Sequence, residues 1–428
     1  MKKKIELLSP AGDFEKMCDA LYFGADAVYI GPKEFSLRTG EAAFTPESMS
    51  KAVEYVRAKG KKIYFALNIM PTEVLLKDIE NFIDELIRFK AYPDAFIISD
   101  PGVLNLVKEK YKDSVAYHLS TQANCINSQS VKFWSENGIQ RIILGRELTL
   151  DDIVNIRKNI AGNVKIELEV FIHGAMCMSY SGRCLISSYF TGRNANRGDC
   201  AHPCRWKYYL MEETREGEFF PVEEDSGGTY IMNSFDMSLG QEVNKFICNK
   251  EFHDAPLIDS FKIEGRNKGT YYVSVVTAVY RRIIDAFYNG RECEQNIIDQ
   301  LETVSHRPYS KGFLFNKPRQ NTKDSIYLWN YRFLGKCTCE KDFIKVEVRN
   351  QFSVGEEVEV FTYGARVDTY IIKAIYNYET GKPILQTKNQ EIVKITLNSD
   401  IREFEYGLLR KKWANKKKKK KTQYRKKT

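Results

Sequence analysis

Residues 6–31, ELLSPAGDFEKMCDALYFGADAVYIG, set the fold. A short apolar run ends in Ser-Pro, a stretch of helical periodicity covers 13–23, and a second β-rich run follows at 27–31. That order is one parallel βα unit, and it recurs. Further strands are expected at 62–68, 95–100, 115–121, 141–145, 166–174 and 260–266, which with 5–10 and 27–31 makes eight. Helices are expected at 46–59, 75–89, 128–137, 149–159 and 270–288. Eight such units suit a (β/α)8 barrel of the TIM type. An open doubly wound sheet would also alternate, but the SPAGDF turn after the first strand is not the G-x-G-x-x-G fingerprint of that fold.

The seventh and eighth strands lie far apart, so residues 175–258 read as an insertion over the catalytic face, with a hairpin near 215–230 and a helix near 241–249. The barrel domain is expected to run over 1–325. Over 330–409 the pattern changes to alternating strands, IKVEVR, EVEVFT, TYIIKA and IVKITL, as in a small β-barrel. The chain of 428 residues has a net charge of +9, yet twelve Lys and Arg and no acid fall within 410–428; subtracting them leaves the rest at −3. The basicity is thus a tail, expected to be disordered, that either holds phosphates without sequence preference or only aids solubility. No apolar run is long enough for a signal peptide or a membrane span, which points to the cytoplasm.

Chemistry concentrates in residues 169–206, EVFIHGAMCMSYSGRCLISSYFTGRNANRGDCAHPCRW. Four of the ten cysteines, Cys177, Cys184, Cys200 and Cys204, follow C-x6-C-x15-C-x3-C. In a reducing compartment such a group binds metal rather than forming disulfides. Four thiolates complete a zinc site or anchor an iron–sulfur cluster; the spacing lacks the C-x2-C pairs of zinc ribbons and favours the cluster. Arg183, Arg193, Arg197 and Arg205 crowd the segment, and guanidinium forks match carboxylates or phosphates. Tyr180, Tyr189, Phe190, Trp206 and Tyr208 offer rings on which a base can stack, or simply pack the lid. The remaining cysteines are expected to be ordinary structural residues.

Polar residues also stand where the strands should end, the substrate side of a barrel. They are Asn68, Asp100, Ser120, Gln122, Arg146, Glu169, His173, Lys262, Glu264 and Arg266. Individually each is as well explained by a buried hydrogen-bond network; together they mark a site.

The 6–31 stretch, HLSTQAN at 118–124, the E-x-F-x-H-G-A-M-C-x6-C block and SFKIEGR at 260–266 together resemble the collagenase-like peptidase family, whose catalytic type is unassigned, over residues 4–410. Residues 212–239 and SHRPYSKGF at 305–313 are similar to a branch of it that makes 5-hydroxyuridine at the tRNA wobble position with prephenate as oxygen source. The resemblance implies a [4Fe-4S] cluster on the four cysteines, prephenate as co-substrate and a tRNA anticodon loop as partner. On that reading the arginines of the segment dock the two carboxylates of prephenate, and Glu169 or His173 manages protons at the uridine ring. The small β-domain and the tail would grip the RNA backbone. A related branch implies ribosomal RNA as the alternative target. The family name implies proteolysis, but the chain has no HExxH or G-x-S-x-G motif; a Cys177 and His173 dyad is the only protease-like pair.

Overall fold

The computed structural model describes residues 4–32, 34–37, 44–162, 164–177, 179–206, 224–225, 228–229, 235–252, 255–315 and 327–413. The expected barrel is present. Strands β1 (Glu6–Pro10), β2 (Ala27–Ile30), β3 (Lys62–Leu67), β4 (Ala95–Ile98), β5 (Ala116–Leu119), β6 (Arg141–Ile143), β7 (Glu167–Ala175) and β8 (Ser260–Ile263) pair in parallel in that order. β8 closes the ring by pairing with both β7 and β1. β2 and β4, AVYI and AFII, are buried at every position, because one face fills the barrel and the other meets the helices.

Helices α1 (Phe14–Tyr22), α2 (Pro46–Ala58), α3 (Glu73–Arg88), α4 (Pro101–Tyr111), α5 (Ser128–Glu136) and α6 (Leu150–Ile160) follow the first six strands, and α7 (Thr270–Tyr288) follows β8. After β7, among the described residues, the chain forms a short helix, Ile186–Thr191, in the insertion and then the turns Gly240–Val243 and Asn244–Ile247 before β8. Five of the βα loops end in a side-chain cap on the next helix, from Asp13, Thr45, Asp100, Asn127 and Thr149.

Helix α4 is absent from the sequence reading, and it gives Asp100 its role. The Asp100 carboxylate accepts from the backbone N–H of Gly102 at 2.8 Å and of Val103 at 3.1 Å, so this proposed substrate ligand is a helix cap. Asp100→Ala is expected to cost about 1 kcal/mol in urea denaturation. A loss of activity out of proportion to that cost would restore Asp100 to the site.

β7 outlasts its neighbours. Its end pairs antiparallel with a short strand, Asp236–Ser238, from the insertion. Opposite it, the register with β8 slips between Lys262 and Ile263, so that Phe171 faces Lys262 but His173 faces Ile263. This is a bulge, and a bulge reverses the face to which the next side chain points. Gly174, at φ +116°, sits where a Cβ would lie 2.7 Å from the Glu264 backbone oxygen, so only glycine permits the approach of the two strands. Of the expected hairpin, Glu224–Asp225 pairs with Gly228–Thr229; its other residues lie outside the described ones.

The second unit is a closed antiparallel barrel of six strands: β9 (Tyr331–Glu340), β10 (Phe343–Val348), β11 (Glu357–Thr362), β12 (Arg366–Asn377), β13 (Ile392–Leu397) and β14 (Gly407–Lys412), paired in the order β11–β14–β9–β10–β13–β12 and back to β11. Leu334, Ile344, Val346, Val358, Val393 and Leu409 form its core. β14 corrects the expected tail: Arg410, Lys411 and Lys412 belong to a strand. Arg410 is fully buried, its Nη2 2.7 Å from the Glu359 carboxylate. Residues 414–428 of the tail lie outside the described residues.

Candidate active site at the barrel mouth

The barrel interior is layered by charge. At the N-terminal end of the strands, Arg141 binds the Glu6 carboxylate and places Nη2 2.6 Å from Glu167 and Nη1 3.3 Å from Glu169. Burial pushes the Glu6 carboxyl up, but Arg141, helped by Lys62 and Tyr64, outweighs it and holds the group below the usual range. Glu169 has no exposed surface and reaches upward to Lys262, its Oε1 3.2 Å from Nζ. Glu169 therefore lies beneath the mouth of the barrel, as the counter-charge to two cations, and does not line the pocket where a substrate would sit.

Above that layer the C-terminal strand ends enclose a pocket of about 40 Å³, lined by Tyr29, Asn68, Ser120, Gln122, Arg146, Phe171, Lys262, Glu264 and Arg266 among others. Most of the expected strand-end residues thus converge. Arg146 lies flat on Phe171, 3.9 Å from the ring centre, and its Nη2 is 2.7 Å from the Glu264 carboxylate. Lys262 Nζ stands 3.9 Å over the Tyr29 ring, and burial draws its ammonium below the usual lysine range despite Glu169. Arg266 donates to Ser36 Oγ at 2.6 Å and to the Leu37 carbonyl. Gly31 makes room for it, since a Cβ there would lie 2.2 Å from Arg266 Nη1. Asn68 accepts from the Leu37 N–H at 3.1 Å, which fixes the loop after β2 over the mouth.

Gln122 and Glu264 also line a second cavity, of about 720 Å³, together with Cys177, Cys184, Cys200 and Cys204. None of the four cysteines is in a disulfide, and all are partly exposed. Among the described residues no three His, Cys, Asp or Glu side chains stand close enough to hold one metal ion, so the thiols ring the cavity rather than meet at a point. A zinc ion draws its thiolates to about 2.3 Å; a ring of four thiols around open space is a donor set that fits a multi-iron cluster. Of the other cysteines, Cys125, Cys293 and Cys337 are buried as expected of structural residues, whereas Cys248 is exposed.

The insertion arginines do not converge. Arg193 lines the cavity but pairs with Asp199 at 2.6 Å, and both are exposed. Arg197 donates to Thr72 Oγ1 at 3.2 Å, and Arg183 to the Gln122 carbonyl at 2.8 Å. The side chain of Arg205, and Tyr208, lie outside the described residues. Tyr180, Tyr189, Phe190 and Trp206 are exposed on the insertion surface, Tyr189 at 86%.

His173 is displaced by the bulge. It is fully buried on the helix side of β7, with Nδ1 3.2 Å from Tyr280 Oη and Nε2 3.3 Å from Tyr309 Oη. It lines neither cavity, and with both ring nitrogens against tyrosines it forms no dyad with Cys177. Burial, then His306, Lys268 and Lys311, push its pKa well below the ordinary value; burial and Arg141, Lys262 and Lys62 do the same for His118. Both are neutral in the fold. The unfolded chain takes up their protons below about pH 6.5, so their contribution to stability is complete above that pH and lost as pH falls below it. Unfolding free energies from urea denaturation one pH unit either side of about pH 6.5 should differ by about 1.4 kcal/mol in total for each histidine. His118→Phe should remove its share, and an unchanged difference would mean His118 already titrates normally.

Sequence reading did not find Tyr29 and Phe171, the ring floors under the two cations, or Lys268, which lines the cysteine cavity. Nor did it find Glu147, which accepts from Ser181 Oγ at 2.6 Å and ties the insertion to the barrel rim. Tyr29 and Phe171 alternate with outward residues on their strands, a signal that is readable only once the inward face is known.

A closed (β/α)8 barrel whose polar strand ends meet a four-thiol insertion defines an enzyme of the barrel class, with its site at the C-terminal face. Residues 12–324 match peptidase family U32 and residues 329–410 the U32 C-terminal domain, and the chain belongs to that family. It is 36% identical over 408 residues to tRNA hydroxylation protein P of Escherichia coli, covering 84% of this chain and 86% of that protein. It is 32% identical over 350 residues to a collagenase of Porphyromonas gingivalis, covering 79% and 78%. It is 35% identical over 288 residues to a 23S rRNA 5-hydroxycytidine synthase of Escherichia coli, covering 67% of this chain and 40% of that protein. Among the described residues no helix is long and apolar enough to cross a membrane.

Proposed function

We propose that this chain is a cytoplasmic RNA hydroxylase that converts the wobble uridine of tRNA to 5-hydroxyuridine, with prephenate as oxygen source and a [4Fe-4S] cluster on Cys177, Cys184, Cys200 and Cys204. The observation that carries the reading is the juxtaposition of four cysteines outside any disulfide, around one cavity, with the cationic barrel mouth that shares Gln122 and Glu264 with it. The similarity to tRNA hydroxylation protein P over most of both chains supports RNA as the substrate class.

The cluster, when bound, supplies the one-electron chemistry that the side chains lack. The chain's own residues bind and orient. Exposed Tyr189, Phe190 and Trp206, on the segment that carries the four cysteines, offer stacking faces suited to a base already unstacked in an anticodon loop. The arginines and lysine of the mouth face the small acid. The test is nucleoside mass spectrometry of tRNA from cells that lack 5-hydroxyuridine and express this chain. Uridine gaining one oxygen supports the reading. Modified 23S rRNA with unchanged tRNA would move the target to ribosomal RNA, and unchanged RNA with gelatin cleaved by the purified chain would replace the hydroxylase with a peptidase.

A further inference from the structure

Two buried donors at the barrel mouth have unmet hydrogen-bonding capacity. Arg146 Nε and Lys262 Nζ each lack a hydrogen-bond acceptor, although their side chains are only 8% and 5% exposed. Lys262 is within ion-pair distance of Glu169, but the contact lacks hydrogen-bond geometry. Leaving such donors unmet in a folded interior is costly, and charged ones more so. Both line the same pocket, and Phe171 lies under both, 3.9 Å from the Arg146 guanidinium and 5.8 Å from Lys262 Nζ. The rest of the lining mixes apolar Ala66, Ile97 and Ile143 with hydroxyl and amide side chains, and its carboxylate, Glu264, is already paired with Arg146.

The pocket, at about 40 Å³, has room for a single ionised head group but not for a whole substrate. Gln122 and Glu264 line both this pocket and the cysteine-lined cavity, so the two are neighbours and a ligand longer than one head group would extend toward the thiols past these side chains. Arg146 Nη1 and Nη2 are engaged with the Ala175 carbonyl and the Glu264 carboxylate, so the donors left for a carboxylate are the Arg146 Nε–H and the Lys262 ammonium, and a charge-assisted contact to each suits its two oxygens.

We infer that this pocket is an oxyanion site in which Arg146 and Lys262 hold one carboxylate of the small acid, while the body of that acid lies in the cavity on the cysteine side. The site, rather than the insertion arginines, then selects the co-substrate. The identity of the acid rests on the function proposed above; the binding measurement does not require turnover.

The experiment is calorimetric titration of the full-length, as-isolated chain with prephenate and, separately, with inorganic phosphate. Prephenate should bind, and Lys262→Met should weaken it at least tenfold. Because Lys262→Met also removes one of the two cations that pair with buried Glu169, Asn68→Asp is run beside it: it keeps an acceptor for the Leu37 N–H, breaks no ion pair and sets a negative charge at the pocket rim. It too should weaken prephenate tenfold or more, with an unchanged melting temperature. Prephenate binding that survives both variants but is lost in Arg193→Gln would overturn the pocket and leave the hydroxylase reading standing. Binding of phosphate alone would also overturn it, by making the site one for RNA backbone. RNA hydroxylation without measurable prephenate binding would overturn the site while sparing the activity.

Discussion

Cys177→Ser is expected to strip iron and sulfide from the purified protein and to lower uridine hydroxylation by more than about 100-fold, since even residues that only support a metal ligand contribute about 10- to 100-fold. Cys177 should be the most sensitive of the four thiols because it stands two residues past the end of β7, where a buried ion pair fixes the backbone beside it. The carbonyl of its neighbour Met176 accepts from Arg307 Nη2 at 3.2 Å, and Arg307 is locked against Asp236, with Nε at 2.9 Å and Nη2 at 2.8 Å from Oδ1. Cys184, Cys200 and Cys204 stand on the insertion, where local chain movement can compensate for a substitution. A serine hydroxyl is a poor replacement for a thiolate on iron. The fold should survive, because Cys177 is partly exposed and its 2.9 Å contact with Ser179 Oγ is one that a serine can reproduce. The measurements are metal and sulfide analysis, the visible spectrum and tRNA nucleosides, on wild type and variant together. Full iron content and activity in the variant would remove the cluster from the reaction, and zinc in place of iron would make the thiols a structural site.

The barrel was legible because its strands are buried on both faces: AVYI and AFII are apolar runs too short for helices and flanked by turn residues. Helix α4 was not legible, since Pro101 follows the strand end directly and reads as a breaker, whereas in the structure it is the first helical residue after its cap. β14 was hidden for a different reason. Its Arg410-Lys411-Lys412 continues into a lysine run, and charge alone does not reveal that Arg410 has a buried partner in Glu359. The four cysteines stood out by composition and spacing. The division of labour among the polar strand-end residues did not, because it depends on which way a strand faces. Glu169 and His173 are four residues apart on β7 and by simple alternation share a face; the bulge before His173 sends one into the barrel and the other to the helix layer.

That division makes Glu169 the second large-effect position, for stability before chemistry. Glu169→Gln is expected to destabilise the protein by about 3–5 kcal/mol, the usual cost of removing one member of a buried ion pair. The loss falls on Lys262, whose ammonium would stay buried over Tyr29 without its counter-charge, more than on Arg141, which keeps Glu6 and Glu167. Replacing both, as Glu169→Gln with Lys262→Met, should recover most of the stability, because the ammonium left without its counter-charge is removed with it. Urea denaturation of the two single variants and the double variant measures this coupling directly. Single losses that simply add in the double variant would mean that the two groups do not act as a pair. A Glu169→Gln protein with native stability and unchanged prephenate affinity but no turnover would instead return the carboxylate to the chemistry as a proton carrier, through a pocket floor more open than the one described. The charge layer and the oxyanion site are thus tied together: Glu169 holds Lys262 in place and lowers the cost of keeping it charged, and the unmet donor of Lys262 remains available to the acid that arrives from above.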